Sequence, residues 1–156
     1  MINFWLFVHL TGLVLLAAGV GIANLSGIMM SKSDSPSMIA MWSKVNFRVE
    51  HLATLPGALL LIVAGSILVH KEGYDYSATW IVSAYILWVI AMFLGGFVLG
   101  RHAHRIHRLA SDEVAAGVEV STTAAKLARS PVGPVVGNLL NLIVLAFLYL
   151  MIVKPS

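Results

Sequence analysis

Cysteine is absent from the 156 residues. That excludes disulfides, iron–sulfur clusters, covalently attached c-type haem and thiolate zinc sites. Any metal or cofactor must be held by histidine, methionine, tyrosine, carboxylate or amide groups. Charge is also scarce, at 11% of residues against about 25% in a soluble domain. No Gly-rich phosphate loop is present, and no nucleophile stands with an arranged base, so hydrolase, kinase and dinucleotide chemistry have no motif to rest on. No basic residue precedes the first apolar run, Phe4 to Met30. A secretory signal needs a positive leading region and a shorter apolar core, so a retained helix is expected there.

Apolar residues fill the space that charge leaves, making up 59% of the chain. The stretch from Arg48 to His70, RVEHLATLPGALLLIVAGSILVH, sets the pattern: no charged group from Leu52 to Val69, Pro56 as a kink, and a histidine near each end. Crossing hydrocarbon takes about 20 mostly apolar residues. The expected fold is all-α: a single domain over residues 1–156, forming a four-helix transmembrane bundle. The expected spans are residues 4–30, 48–70, 78–100 and 132–153, with a cytoplasmic loop over 101–131. Within that loop Ser111 is expected to cap a short surface helix, with Asp112 and Glu113 in its first turn.

Basic residues set the expected orientation. Lys32, Lys44, Arg48, Arg101, Arg105, Arg108, Lys126 and Arg129 follow spans one and three, whereas Lys71 and Lys154 lie on the opposite side. The basic side is cytoplasmic by the positive-inside rule, which puts both termini outside. The net charge of +3 therefore sits in loops, and a lipid bilayer rather than nucleic acid is the expected partner.

Ionisable groups within spans are costly and mark function by default. The six histidines divide by depth. His9 and His70 fall toward the outside, His51 and His102 toward the inside, and His104 and His107 in the basic tail of span three. At helical spacing His9 shares a face with Gly12, Leu16, Gly19, Ala23 and Gly27, a small-residue side suited to close helix approach. His9 is thus expected to face the bundle, with Gly12 leaving room for a flat macrocycle. The bland alternative is a packing histidine bonded to Ser66 or Tyr85. His51 lies near Arg48 and Glu50, at a depth that Asn24, Asn138 and Asn141 also reach. This inner group reads either as a site for a propionate, a quinone headgroup or a proton, or as a network fixing helix register. Met29, Met30, Met38 and Met41 are soft ligands for Cu(I), or ordinary packing.

FVHLTG in span one, TLPGALLLIVAG in span two, Trp80 opening span three and the terminal LMIVKP together resemble a bacterial integral membrane family catalogued as domain of unknown function 2269. The resemblance covers nearly the whole chain and implies a bacterial inner-membrane location. A more distant similarity is to the membrane-embedded, haem-binding protoporphyrinogen oxidase. It is carried by His9, by Arg48 before Pro56, and by Lys154 with Pro155. That group has a histidine and a lysine just after the span-three tryptophan, whereas Ile81, Val82, Ser83 and Ala84 follow Trp80 here. A copper-resistance membrane family has a similar small bundle.

Three functions follow as expectations. The first is a redox or electron-transfer module holding haem b, with His9 and His70 as axial ligands of the metal and His51, His102 and Arg48 as further cofactor contacts. The second is a non-catalytic accessory subunit of a larger membrane complex, or a homo-oligomer. Copper handling is the third.

Overall fold

A computed structural model describes residues 2–154; Pro155, of the terminal lysine–proline pair, lies outside the described residues. The elements are helical, with no strand among the described residues. Helix α1 spans Ile2–Ser31, α2 Pro36–Lys71 and α3 Thr79–Ala115. A short helix α4, Thr123–Ala128, leads into α5, Val132–Val153. Four helical stretches are long and apolar enough to cross a membrane. They run up and down, so the described ends of the chain share one end of the bundle with the turn between α2 and α3. Large apolar side chains on the outer surface, such as Leu52 and Ile152 at 75% and 79% exposure, suit contact with hydrocarbon rather than water.

The proline of span two, Pro56, sits where the helix changes pitch. Glu50–Thr54 forms one wide π-helical turn just before it. The Leu55 N–H reaches back to Glu50 O there, which absorbs the register error that a residue without an N–H introduces. A second wide segment, Phe93–Leu99, interrupts α3. The α2–α3 turn is set by Gly73, whose φ of 70° allows Tyr74 N–H to bond Val69 O at 3.1 Å; this is a left-handed helix stop of the usual kind. In the same turn Asp75 accepts the Ser77 N–H at 2.9 Å, which holds its carboxyl below the usual range.

Helices α2 and α3 have 36 and 37 residues, or about 54 Å of rise each, against about 30 Å of hydrocarbon. Their surplus length builds a small helical head at the end away from the termini. Met30, Ile39, Ile106, Ala110, Ala124, Ala125 and Ala128 form its buried core. Arg129 clamps it by donating to Ser31 O and Ser33 O and pairing with Asp34. Much of residues 101–131, expected as a loop, is therefore packed helix. Ser111 caps nothing: Ser111, Asp112 and Glu113 close the end of α3, which stops at Gly117 with φ of 70°. The short helix of this region is α4, and Glu113 caps it from a distance, accepting the N–H groups of Thr123 at 2.9 Å and Ala124 at 3.2 Å. Met30 belongs to this core, so its role is packing.

Candidate functional site

The pairing of α1 with α2 is the closest in the bundle and depends on missing side chains. A Cβ added at Gly57 would fall 2.6 Å from Leu16 N and 2.8 Å from Gly12 O, and one at Gly12 would fall 2.9 Å from Gly57 O. A Cβ at Gly19 would run into Thr54, both its hydroxyl oxygen and its backbone N, the latter at 3.0 Å. The expected small-residue face thus meets α2 closely at Gly12 and Gly19, where its space is filled, whereas Gly27 has no neighbour. Gly12 leaves no room for a macrocycle.

The space lies elsewhere. Toward the terminal end, α1 and α2 form one pair, and the first half of α3 and α5 form another. Between the pairs is a cleft of about 520 Å³ to which all four long helices contribute. That volume is within the roughly 300–1,000 Å³ of small-molecule sites. Leucines of α1 and α2 form much of its wall, and Trp80, Tyr85 and Trp88 of α3 face them. Trp88 Nε1–H donates to Ala58 O at 3.2 Å, bridging the two pairs at the floor.

His9 is the only histidine among the residues lining this cleft. Its Nδ1 lies 3.1 Å from Leu61 O. A carbonyl only accepts, so Nδ1 carries the proton, and in the neutral ring Nε2 keeps the lone pair. Gly65 makes the approach feasible, since a Cβ there would sit 3.1 Å from His9 Cε1. The Nδ1–Cε1 edge is thus held against α2. The hydroxyls proposed as partners bond each other instead. Ser66 donates to Ile62 O at 2.7 Å, so its oxygen must accept from Tyr85 O–H at 2.6 Å.

The other candidates do not join His9. His70 is exposed and outside the cleft lining, five residues along α2 from the Gly65 that faces His9. His51 is exposed, with Nδ1 on Phe47 O at 2.9 Å and its ring 4.2 Å from that of Phe47. Arg48 is exposed one turn earlier. His102 contacts Ser130 Oγ at 3.3 Å. The inner group is therefore spread over separate local bonds. His107 donates to Ser43 Oγ at 2.8 Å, because that hydroxyl already donates to Ala40 O. Glu50, Ser43, His104 and His107 border a pocket of about 30 Å³, room for one water. Asn24 and Asn141 do meet, at 3.2 Å, while Asn138 is exposed. Among the described residues no three His, Asp or Glu side chains are grouped to hold a metal ion.

Sequence reasoning missed the rim of the cleft, where Glu72, Tyr74, Trp80 and Lys154 meet. The signal was available as an aromatic pair flanking a turn at interface depth. The sequence model described as "Predicted integral membrane protein (DUF2269)" matches residues 4–155. No curated protein and no solved structure matches the chain.

Proposed function

Since the chain belongs to the family of predicted integral membrane proteins called domain of unknown function 2269, we propose a function from its geometry: an intramembrane ligand-binding module, with haem b held through His9 in the terminal-end cleft. The observation that carries this reading is the state of the His9 ring. Its Nδ1–H is tied to Leu61 O, which fixes the tautomer and leaves Nε2 as the basic nitrogen. A backbone carbonyl accepting the other ring N–H does the same for metal-binding histidines generally. The cleft beside it is lined mainly by apolar side chains and has a volume of about 520 Å³, suited to a largely apolar ligand. When bound, haem supplies a one-electron iron couple. The protein's part is to orient His9, through Leu61 and the Gly65 gap, and to close the floor with Trp88.

His9 is then the single histidine ligand, and the expected partnership with His70 is replaced by attachment from one side. Haem content per protein, measured in mild detergent from the reduced absorption spectrum, tests this. His9→Ala should lose the haem while still inserting. His70→Ala and His51→Ala should keep it. Full retention in His9→Ala overturns the assignment.

The orientation proposed is that of a bacterial inner membrane protein, with head and basic residues in the cytoplasm and both termini outside. A periplasm-dependent reporter fused after Ser156 should be active, and a cytoplasm-dependent one silent. The reverse pattern overturns it.

A second reading, an accessory subunit or homo-oligomer, is favoured by glycines that the chain itself does not use. Gly21, Gly27, Gly96 and Gly133 have no neighbour within 4 Å of a built Cβ, so these faces are open to another helix. Cofactor-free protein that co-purifies stoichiometrically with a second membrane protein would support it over the first.

A further inference from the structure

We infer that Lys154, clamped over Tyr74 and Trp80, is the anion-binding group of the cleft, and that the ligand held there presents a carboxylate at the terminal-end rim. This deepens the cleft reading and rests on it.

The chain's route brings the lysine there. Helix α5 ends at Val153, and Lys154 takes a left-handed backbone conformation, φ 45°. Such a conformation is uncommon for a residue with a side chain, and it turns the chain at the helix end. The side chain lies over the α2–α3 turn. Its Nζ donates to Tyr74 O–H at 2.6 Å and sits 4.6 Å from the Tyr74 ring centre and 5.7 Å from that of Trp80. The two rings meet edge to face at 5.4 Å. A long flexible side chain is thus held by ring faces that attract a cation, instead of trailing into water.

The ammonium has capacity left. It carries three donors, and among the described residues one is used, on Tyr74. Glu72 borders the same cleft, yet the ion pair found among the described residues is Arg129–Asp34, in the head. The other charged or titratable groups of this turn, His70, Lys71 and Asp75, are exposed. They do not line the cleft.

The cleft therefore has a basic nitrogen within its wall, an apolar body and a cation at its mouth. Gly65, which faces His9, precedes Glu72 by seven residues in sequence, or about 10 Å of helix. A ligand that satisfies both ends has an apolar body of that order between its histidine-binding centre and its acid. Haem, with its peripheral carboxylates, belongs to this chemical class. Arg48, the basic group expected from sequence to meet a propionate, is exposed elsewhere. Lys154 takes that role.

The test is a titration of detergent-solubilised protein, followed at the Soret band, with haem b and with its dimethyl ester, whose carboxylates are capped. His9→Ala supplies the baseline for nonspecific partitioning. Wild-type protein should bind the free acid about tenfold more tightly than the ester, the scale of one hydrogen bond to a charged group. Lys154→Gln should bind both alike while keeping the His9-dependent spectrum, and Lys154→Arg should keep the discrimination. Equal tight binding of acid and ester by wild-type protein overturns the carboxylate assignment and leaves the His9 reading standing. Discrimination that persists in Lys154→Gln overturns it as well. Binding of neither compound above the baseline overturns both readings.

Discussion

Gly57→Ala should destabilise the bundle by about 3 kcal/mol, and Gly57→Leu should prevent α1 from docking on α2. The added Cβ meets Leu16 N at 2.6 Å and Gly12 O at 2.8 Å. Both are backbone atoms of a helix, which cannot rotate aside as a flexible side-chain tip would. Overpacking usually costs about 1–3 kcal/mol, and backbone targets place this case at the top of that range. Gly21→Ala is the matched control, because its Cβ would meet nothing within 4 Å. It should be neutral or slightly stabilising, since alanine is favoured over glycine in a helix by up to about 1 kcal/mol. Unfolding of purified protein by SDS, followed by circular dichroism, measures both. Equal effects of the two substitutions would refute the close-approach argument. The site should respond too: Leu61 lies four residues beyond Gly57, so forcing the helices apart withdraws its carbonyl from His9. If the proposed haem site at His9 holds, Gly57→Ala should therefore lower haem content without touching the cleft lining itself.

That coupling shows which parts of the molecule were legible in sequence. Length and hydropathy announced four spans, because crossing hydrocarbon demands long apolar runs. The glycine spacing from Gly12 to Gly19 announced a close helix contact. Neither could say what occupies the gap left by a glycine. A missing Cβ admits a cofactor or another backbone equally well, and only the placement of Gly57 opposite Gly12 decides for backbone. Depth also proved a poor guide to proximity. His9 meets α2 at Leu61 and Gly65, whereas His70 lies five residues beyond Gly65, about 7 Å further along the helix, and is exposed there.

The head was hidden for a different reason. Its helices are continuations of spans, so polar residues after Gly100 read as the end of an element. The stop signal was Gly117, since a glycine just past a helical run marks a left-handed terminus. Reading it would have extended α3 by four turns and moved Glu113 from the start of a helix to the end of one. Lys154 was read as an outer-side charge and as part of a terminal pair but not as part of a site, because its contact with Tyr74 joins residues 80 positions apart.

The relocated Glu113 leads to the second large effect. Its carboxylate accepts the N–H groups of Thr123 and Ala124 and the hydroxyl of Ser121. Ser121 is itself buried at 4% exposure, and its oxygen accepts the Ala125 N–H at 3.0 Å. One side chain thus organises the whole N-terminus of α4, a helix of six residues that is too short to persist without tertiary support. Glu113→Ala strips these acceptors away and leaves donors in the head without partners, at about 1–3 kcal/mol for a buried group. The loss should be local. Amide hydrogen exchange at Thr123, Ala124 and Ala125 should accelerate by roughly ten- to a hundredfold, as that energy range implies, while amides of α1 and α2 around the cleft stay protected. Asp112→Asn, at the neighbouring exposed position, should leave exchange in α4 unchanged. If both acids opened a helix beginning at Ser111, the two substitutions would act alike. Similar exchange in Glu113→Ala, Asp112→Asn and wild-type protein would instead show that α4 is held by the packing of Ala124, Ala125 and Ala128 alone, and would remove Glu113 from its role as the cap.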